Sequence, residues 1–423
     1  MKEAVIVDAC RSPIGRAGDH GVYCSITGRD MMRPVLRAIV ERNRLDPAKI
    51  DDVVLGSAGG GWGGRSQSLL ANFPDSVAGT DCSRACASST QAVAIAAHYI
   101  QNDDADIVIA LGLETMDRQD VVQPWQIGKR GSSSMGGAAV MPRRGAGAPA
   151  GQEDAQFPPD WKFATNLVPR MRPDIPPWVG DMGRTAEELS KRMNMPKEDQ
   201  DRFSVTSHLK WADAMNKGYF KDELIPITIK YTDGTTEVVN KDQCPRPDTS
   251  YEKIAALPPA YTADGIITAG NSCPRSDGAG AVLMMSKEKA QELGYKPMMT
   301  FRHAVAVGVD STIMGSGPVP STQKILKRTG MKLSDFSIFE VNEAFAVVVT
   351  YWIREMHATA ADIAKINPHG GSIAIGHPLG MTGTRQTDVI ARYLNRTGGR
   401  FGLATLCVGG GQGMATIFER ENY

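Results

Sequence analysis

Residues 81–100 read DCSRACASSTQAVAIAAHYI, an irregular polar stretch that turns into a helical pattern at Ser88. Val93, Ala96, Ala97 and Ile100 recur at helical spacing, so this helix has an apolar face to bury. A β-rich run follows at Ile107–Leu111. Others precede it at Asp52–Leu55 and Ala4–Asp8, with a helical pattern at Asp30–Asn43 between them. Strands alternating with helices of this length are the rhythm of strand–helix–strand crossovers, which predicts a layered α/β domain. The rhythm dissolves into Gly, Pro, Ser and Met from about Val121 to Gly180, centred on GSSSMGGAAVMPRRGAGAPAG at 131–151. Stretches this long without regular structure are functional loops or disorder. Helical patterns return at Thr185–Met193 and Lys197–Lys217, and a second α/β rhythm runs from Ala279 onward through Ile338–Val341, Ala344–Met356 and Leu403–Leu406. Two α/β halves therefore flank an inserted region, with no sequence repeat visible between them.

Composition narrows the function. The chain has 423 residues, enough for two or three domains. Lys+Arg and Asp+Glu are both 47, so no global basic field exists to hold nucleic acid or an anionic membrane, and an anionic ligand must be held locally. Seven cysteines are an odd number in a long chain, which favours free thiols and a reducing, cytoplasmic setting. No CxxC pair occurs, so no structural zinc site is expected. The start, MKEAVIVDACRSP, alternates like a strand and is not an export signal. The longest apolar runs, such as Phe345 to Ile353, are too short to span a bilayer. The final Glu-Asn-Tyr is not a peroxisomal address.

Cys86 falls where the irregular stretch meets the helix. A thiol there feels the positive end of the helix dipole and free backbone N–H groups, both of which favour thiolate. Its neighbours Ala85, Ala87, Ser88 and Ser89 are small enough to let a thioester approach. The bland alternative is a buried cysteine acting as a small apolar residue, and Cys82 is a rival with the same chemistry. Three other stretches carry possible partners. NPHGGSIAIGHPLGMTG at 367–383 fixes His377 between Gly376 and Pro378, with His369 as the competing histidine. A neutral imidazole held this way can take a proton from a thiol or donate to an oxyanion. CVGGGQG at 407–413 puts Cys407 at a strand end beside exposed backbone donors, and VNEAFA at 341–346 puts Asn342 between a strand and a helix. Each alone has a structural explanation: a hairpin turn for the glycines, a helix cap for Asn342.

Together these stretches resemble the thiolase family. The resemblance covers nearly the whole chain, from AVIVDACRSPIGR at 4–16 through CASSTQA at 86–92, MGRTAEEL at 182–189, DQDRFSVTSH at 199–208, FKDELIPI at 220–227 and TAGNSCPRSDGAGAV at 268–282, to NEAFA, GGSIAIGHPLGMTG and CVGGGQG. So many motifs in one order leave no room for chance agreement.

The resemblance implies a thiolase fold of two similar five-layered αβαβα halves with an inserted loop domain. The expected division is 1–118 plus 259–285 for the N-terminal half, 119–258 for the insert and 286–423 for the C-terminal half. It implies thiolytic cleavage of a 3-oxoacyl-CoA to acetyl-CoA and a shortened acyl-CoA, or the reverse condensation. Cys86 would carry the acyl group, His377 would activate it, and Cys407 would exchange the proton at the α-carbon. One oxyanion hole would be His377 with a water held by Asn342, the other the N–H groups of Cys86 and Gly409. For CoA, Arg246 would face the nucleotide while Met182, Ser272 and Cys273 would line the pantetheine channel. No permanently bound cofactor and no metal are expected, with coenzyme A as substrate and acyl-CoA as the other ligand. The partner would be a second copy, as homodimer or homotetramer, with a β-oxidation subunit as a further partner. Ser83, Ser89, Asp181 and Cys273 depart from residues common in the family, and all lie where the acyl and pantetheine groups would sit. The competing readings are a related condensing enzyme, of ketoacyl synthase or hydroxymethylglutaryl-CoA synthase type, and a catalytically silent subunit of a multienzyme complex.

Overall fold

The computed structural model describes residues 1–59, 63–116, 176–231 and 233–421. The first part of the chain forms β1 (Ala4–Arg11), β2 (Gly15–Arg16), α1 (Gly28–Arg42), β3 (Asp52–Gly56), α2 (Gly64–Leu70), β4 (Ala78–Cys82), α3 (Ser88–Gln101) and β5 (Ile107–Glu114). A middle part follows, with α4 (Met182–Arg192), α5 (Lys197–Asn216), β6 (Ile227–Lys230), β7 (Thr236–Val239) and α6 (Tyr251–Ala255). Then come β8 (Ser276–Ser286), α7 (Lys287–Glu292), β9 (Met299–Gly308), α8 (Pro318–Thr329), β10 (Phe336–Val341), α9 (Ala346–Glu355), α10 (Ala360–Ile363), α11 (Ser372–Ile375), α12 (Thr382–Thr397), β11 (Phe401–Val408) and β12 (Gln412–Arg420). The expected segments at 4–8, 52–55 and 107–111 are thus cores of longer strands, and the helices begin within a few residues of their expected starts.

Sheet order exposes a duplication that the sequence hides. One half runs β4-β3-β5-β8-β1, parallel from β4 to β5 and antiparallel beyond. The other runs β10-β11-β12-β9 with the same directions, and Ile366 pairs in parallel with Phe339 at its outer edge where the first half has β4. Chain order matches too, strand for strand. A short ladder, Val5 with Thr300 and Ile6 with Met299, joins the halves. The middle part enters between β5 and β8, where the second half has only the turn between β11 and β12. Ala279, the start of the second rhythm in the sequence, lies in β8 and pairs with β5 of the first half.

Five layers result. Met31, Met32, Val35, Leu36 and Ile39 of α1 cover the outer face of the first sheet, and α8 and α9 cover that of the second with Ile325, Val347, Val348 and Trp352. Between the sheets lie α3 and α12, sharing one cluster with inward side chains of both. Burial of α3 extends beyond its expected face to Ala92 and Ala94, as a central helix requires. Small residues let the two helices touch: a Cβ on Gly383 would collide with the Thr90 backbone. A side chain there would push apart the two helix starts that carry the site.

Candidate active site

Cys86 sits in a single 3-10 turn, Ala85–Ala87, between β4 and α3. Ala85 holds φ +42°, a conformation costly for a residue with a Cβ. The turn is braced by its own side chains. Ser88 Oγ donates to Ala85 O at 2.7 Å and accepts from Arg84 N at 2.9 Å. The Arg84 guanidinium donates to Gln91 Oε1 and to Gln412 Oε1, both at 2.9 Å, tying the turn to the glycine loop of the other half. In that loop Gly410 and Gly411 take φ near +80°, and the Gly409 N–H donates to the Cys86 sulfur.

Burial decides the charge state of this thiol. It pushes Cys86 up to about 11, against the pull of the Gly409 N–H, and the nearby Glu114 carboxylate adds to the rise. The helix-start argument for a resting thiolate is therefore outweighed by desolvation, and a base is needed. Cys407, in β11 opposite Gly413, is raised well above the usual thiol range by burial and then by Cys86 and Cys273. These three cysteines lie within electrostatic reach of one another. Cys82 ends β4, its thiol directed to Ser88 O at 3.4 Å and raised to about 12 by burial.

His377 is buried, and burial followed by the Arg385 charge lowers it to about 3, so it is neutral. Its hydrogen bonds select the tautomer. Thr382 Oγ1 donates to Pro378 O at 3.0 Å, which leaves its lone pairs to accept from Nδ1 at 2.6 Å. Asn342 Oδ1 accepts from Ser372 Oγ at 2.7 Å, which turns its NH2 to His377 Nε2 at 3.2 Å. The proton rests on Nδ1, and the Nε2 lone pair, which accepts from the Asn342 amide at rest, is the basic site of the ring. Asn342 N donates to Thr405 O, fixing this pair beside the strand of Cys407. Buried Glu343 accepts from Ser207 Oγ, Asn367 Nδ2 and Ile373 N and so pins the NEAFA and GGSIAIGHP loops to each other.

The expected CoA residues separate into two places. Met182 opens α4, and its sulfur lies where a Cβ on Gly409 would be 3.6 Å away. Cys273 N donates to Ala344 O, Ser272 bridges to Phe345, and Tyr261 meets the Phe345 ring edge-on at 5.9 Å. Arg246 is exposed, and its backbone N–H donates to His208 Nδ1 at 3.2 Å. His369 is held by Arg396 at 2.7 Å among Tyr219, Phe220 and Tyr393, far from a catalytic arrangement. Trp125, Met135, Met141, Phe157 and Trp161 of the long loops lie outside the described residues. Among the described residues no group of His, Cys, Asp or Glu is placed to hold a metal, and no helix is long and apolar enough to cross a membrane.

Four residues of the site escaped the sequence reading. Thr382 and Ser372 stood inside quoted motifs, but nothing linear marks their contacts to His377 and Asn342. Arg84 and Glu114 act across the halves and leave no local signal.

The comparisons agree along the chain. The family Thiolase, N-terminal domain matches residues 4–142 and 178–288, and Thiolase, C-terminal domain matches 295–420. The 3-oxoadipyl-CoA/3-oxo-5,6-dehydrosuberyl-CoA thiolase of Escherichia coli is 35% identical over 99% of this chain and 100% of its own. The acetyl-CoA acetyltransferase of Bacillus anthracis superposes with TM-score 0.82 at 32% identity, covering 100% of this chain and 99% of that one. The dimeric peroxisomal thiolase of Saccharomyces cerevisiae does so with TM-score 0.78 at 30% identity, covering 99% and 98%. With both domain families matched in order, and paired thiols and a neutral histidine where two buried helices start, the chain belongs to the thiolase family.

Proposed function

We propose that the protein cleaves a 3-oxoacyl-CoA with CoA, and runs the reverse condensation, through an acyl group on Cys86. The observation that carries this is the unprotonated Nε2 of His377 in a site whose two thiols are both kept neutral by burial. His377 takes the Cys86 proton as the sulfur attacks the 3-oxo carbon. The C2–C3 bond breaks, the leaving acetyl-CoA carbanion takes a proton from Cys407, and CoA thiol then collects the acyl group. Charge develops on oxygen in both half-reactions and calls for fixed donors. Asn342, with its amide locked by Ser372, serves one oxyanion through His377 and a bound water. The N–H groups of Cys86 and Gly409 serve the other.

Met182, Tyr261, Phe345, Ser272 and Cys273 form the pantetheine channel, and Arg246, exposed and apart from them, meets the nucleotide phosphates. The division into 1–118 plus 259–285, 119–258 and 286–423 is supported by the sheet duplication. Assembly as a homodimer or homotetramer is supported by β4, a half-exposed strand that is outermost among the described residues. Seven free cysteines support a reducing cytoplasmic setting, and 3-oxoacyl-CoA cleavage gives the protein a place in fatty-acid or related acyl-CoA breakdown.

The test is acid quenching during turnover of acetoacetyl-CoA and of longer 3-oxoacyl-CoAs, followed by peptide mass spectrometry. An acyl mass on the Cys86 peptide, with CoA-dependent release of acetyl-CoA, is expected. A label confined to Cys82, or no cleavage of any chain length, would refute the proposal.

A further inference from the structure

Glu114 is a buried carboxylate beside Cys86 that the proposed chemistry does not use. It stands two residues past Gly112, which pairs with Gly56 at the end of β3, just as Cys407 stands two residues past Thr405, which pairs with Val341 at the end of β10. In the duplicated fold Glu114 is therefore the counterpart of Cys407. Its carboxylate accepts from three backbone N–H groups: Ala58 at 2.9 Å and Gly59 at 3.2 Å after β3, and Gly380 at 2.9 Å in the loop that carries His377. A Cβ on Gly380 would lie 2.5 Å from Leu113 O and 2.7 Å from Ser57 Cα, so that loop is packed backbone to backbone against the first half. Ser89 Oγ of α3 accepts from Thr384 N of α12 in the same seam.

Resting on the acyl-Cys86 reading, we infer that Glu114 is a positioning residue that locks the His377 loop to the Cys86 half of the site and, as a carboxylate, holds the Cys86 proton in place until His377 removes it. Charge and geometry are both involved. The negative group raises the Cys86 thiol, behind burial and against the pull of the Gly409 N–H. The other groups acting on this pair are Asp277 of β8 beside Glu114, and Cys407 and Cys273 beside the thiol. Burial raises Glu114 to about 7, against the pull of its three N–H donors, so the carboxylate is charged above neutral pH.

The experiment compares wild type, Glu114→Gln and Glu114→Asp in two assays, the rate of Cys86 alkylation by iodoacetamide at about pH 8 and steady-state turnover. Gln removes the charge and, with its one amide oxygen in the place of Oε2, keeps the Ala58 and Gly380 interactions while losing the one to Gly59. It should alkylate Cys86 about tenfold faster, because one unit of pKa is tenfold in thiolate, and should lose turnover by at least about tenfold in kcat with a smaller change in KM. Asp keeps the charge on a shorter stem; its alkylation rate should stay within about twofold of wild type while kcat falls. A structural role alone would not separate the variants by charge. Equal alkylation rates in wild type and folded Glu114→Gln, or equal acceleration in both variants, would overturn the inference. If Glu114→Gln does not fold, Glu114→Asp decides, with wild-type kcat refuting the clamp. Alkylation of wild type at a residue other than Cys86 would instead sink the acyl-Cys86 reading itself.

Discussion

Replacing Thr382 by Val removes one hydroxyl of nearly unchanged shape and tests how the tautomer of His377 is set. In the wild-type protein the hydroxyl accepts from Nδ1 at 2.6 Å and donates to Pro378 O at 3.0 Å, in a buried pocket at the first residue of α12. Without it, the Nδ1–H has no partner, and an orphaned buried donor costs about 1–3 kcal/mol. The ring can escape by moving its proton to Nε2. That proton would then face the Asn342 NH2, and the amide could welcome it only by flipping, which breaks its bond from Ser372 Oγ at 2.7 Å. Either route costs one hydrogen bond, and the second also removes the lone pair needed to deprotonate Cys86. At about 1.4 kcal/mol per decade, acylation should slow by roughly 10- to 100-fold. The assay is single-turnover acylation by acetyl-CoA, normalised to folded protein, with Thr382→Ser as the control that restores the hydroxyl. Acylation by Thr382→Val within about twofold of wild type would refute the tautomer argument, and so would a Ser variant as slow as Val.

Cys407→Ala should abolish carbon–carbon cleavage and condensation while acyl transfer from a simple acyl-CoA onto Cys86 persists, since the two thiols serve different half-reactions; equal loss of both activities would show that Cys407 has no separate role. His377 is lowered from 6.5 to about 3, so its contribution to stability is complete above pH 6.5 and fades as the pH falls toward 3. Denaturant titrations of wild type and His377→Gln should therefore show the wild type losing ground to the variant by up to about 1.4 kcal/mol per pH unit below that point, and parallel pH curves would contradict a neutral buried imidazole. Trp125→Ala and Trp161→Ala should change the ranking of kcat/KM between acetoacetyl-CoA and a long or aromatic 3-oxoacyl-CoA. A changed oligomeric state with unchanged ranking would assign those loops to subunit contacts.

The linear sequence carried everything that depends on local backbone and on order. The strand–helix rhythm, the apolar face of α3, the small residues around Cys86 and the succession of glycine-rich motifs are local properties, and they pointed to the fold class and to Cys86, His377, Cys407 and Asn342 as candidates. It could not show the duplication of the halves, because hydrogen-bond order is shared while side chains are not: Glu114 and Cys407 hold one position in two strands, and a bridge at Ile366 replaces a whole strand. Nor could it fix the charge states. A thiol at a helix start reads as a thiolate, yet desolvation between two sheets outweighs the dipole and leaves Cys86 and Cys407 protonated. The His377 proton likewise depends on Thr382, Asn342 and Ser372 meeting in space. Local propensity acts over a few residues and is written in the chain; burial and hydrogen-bond partnership are set by residues up to hundreds of positions apart, and only the folded structure brings those together.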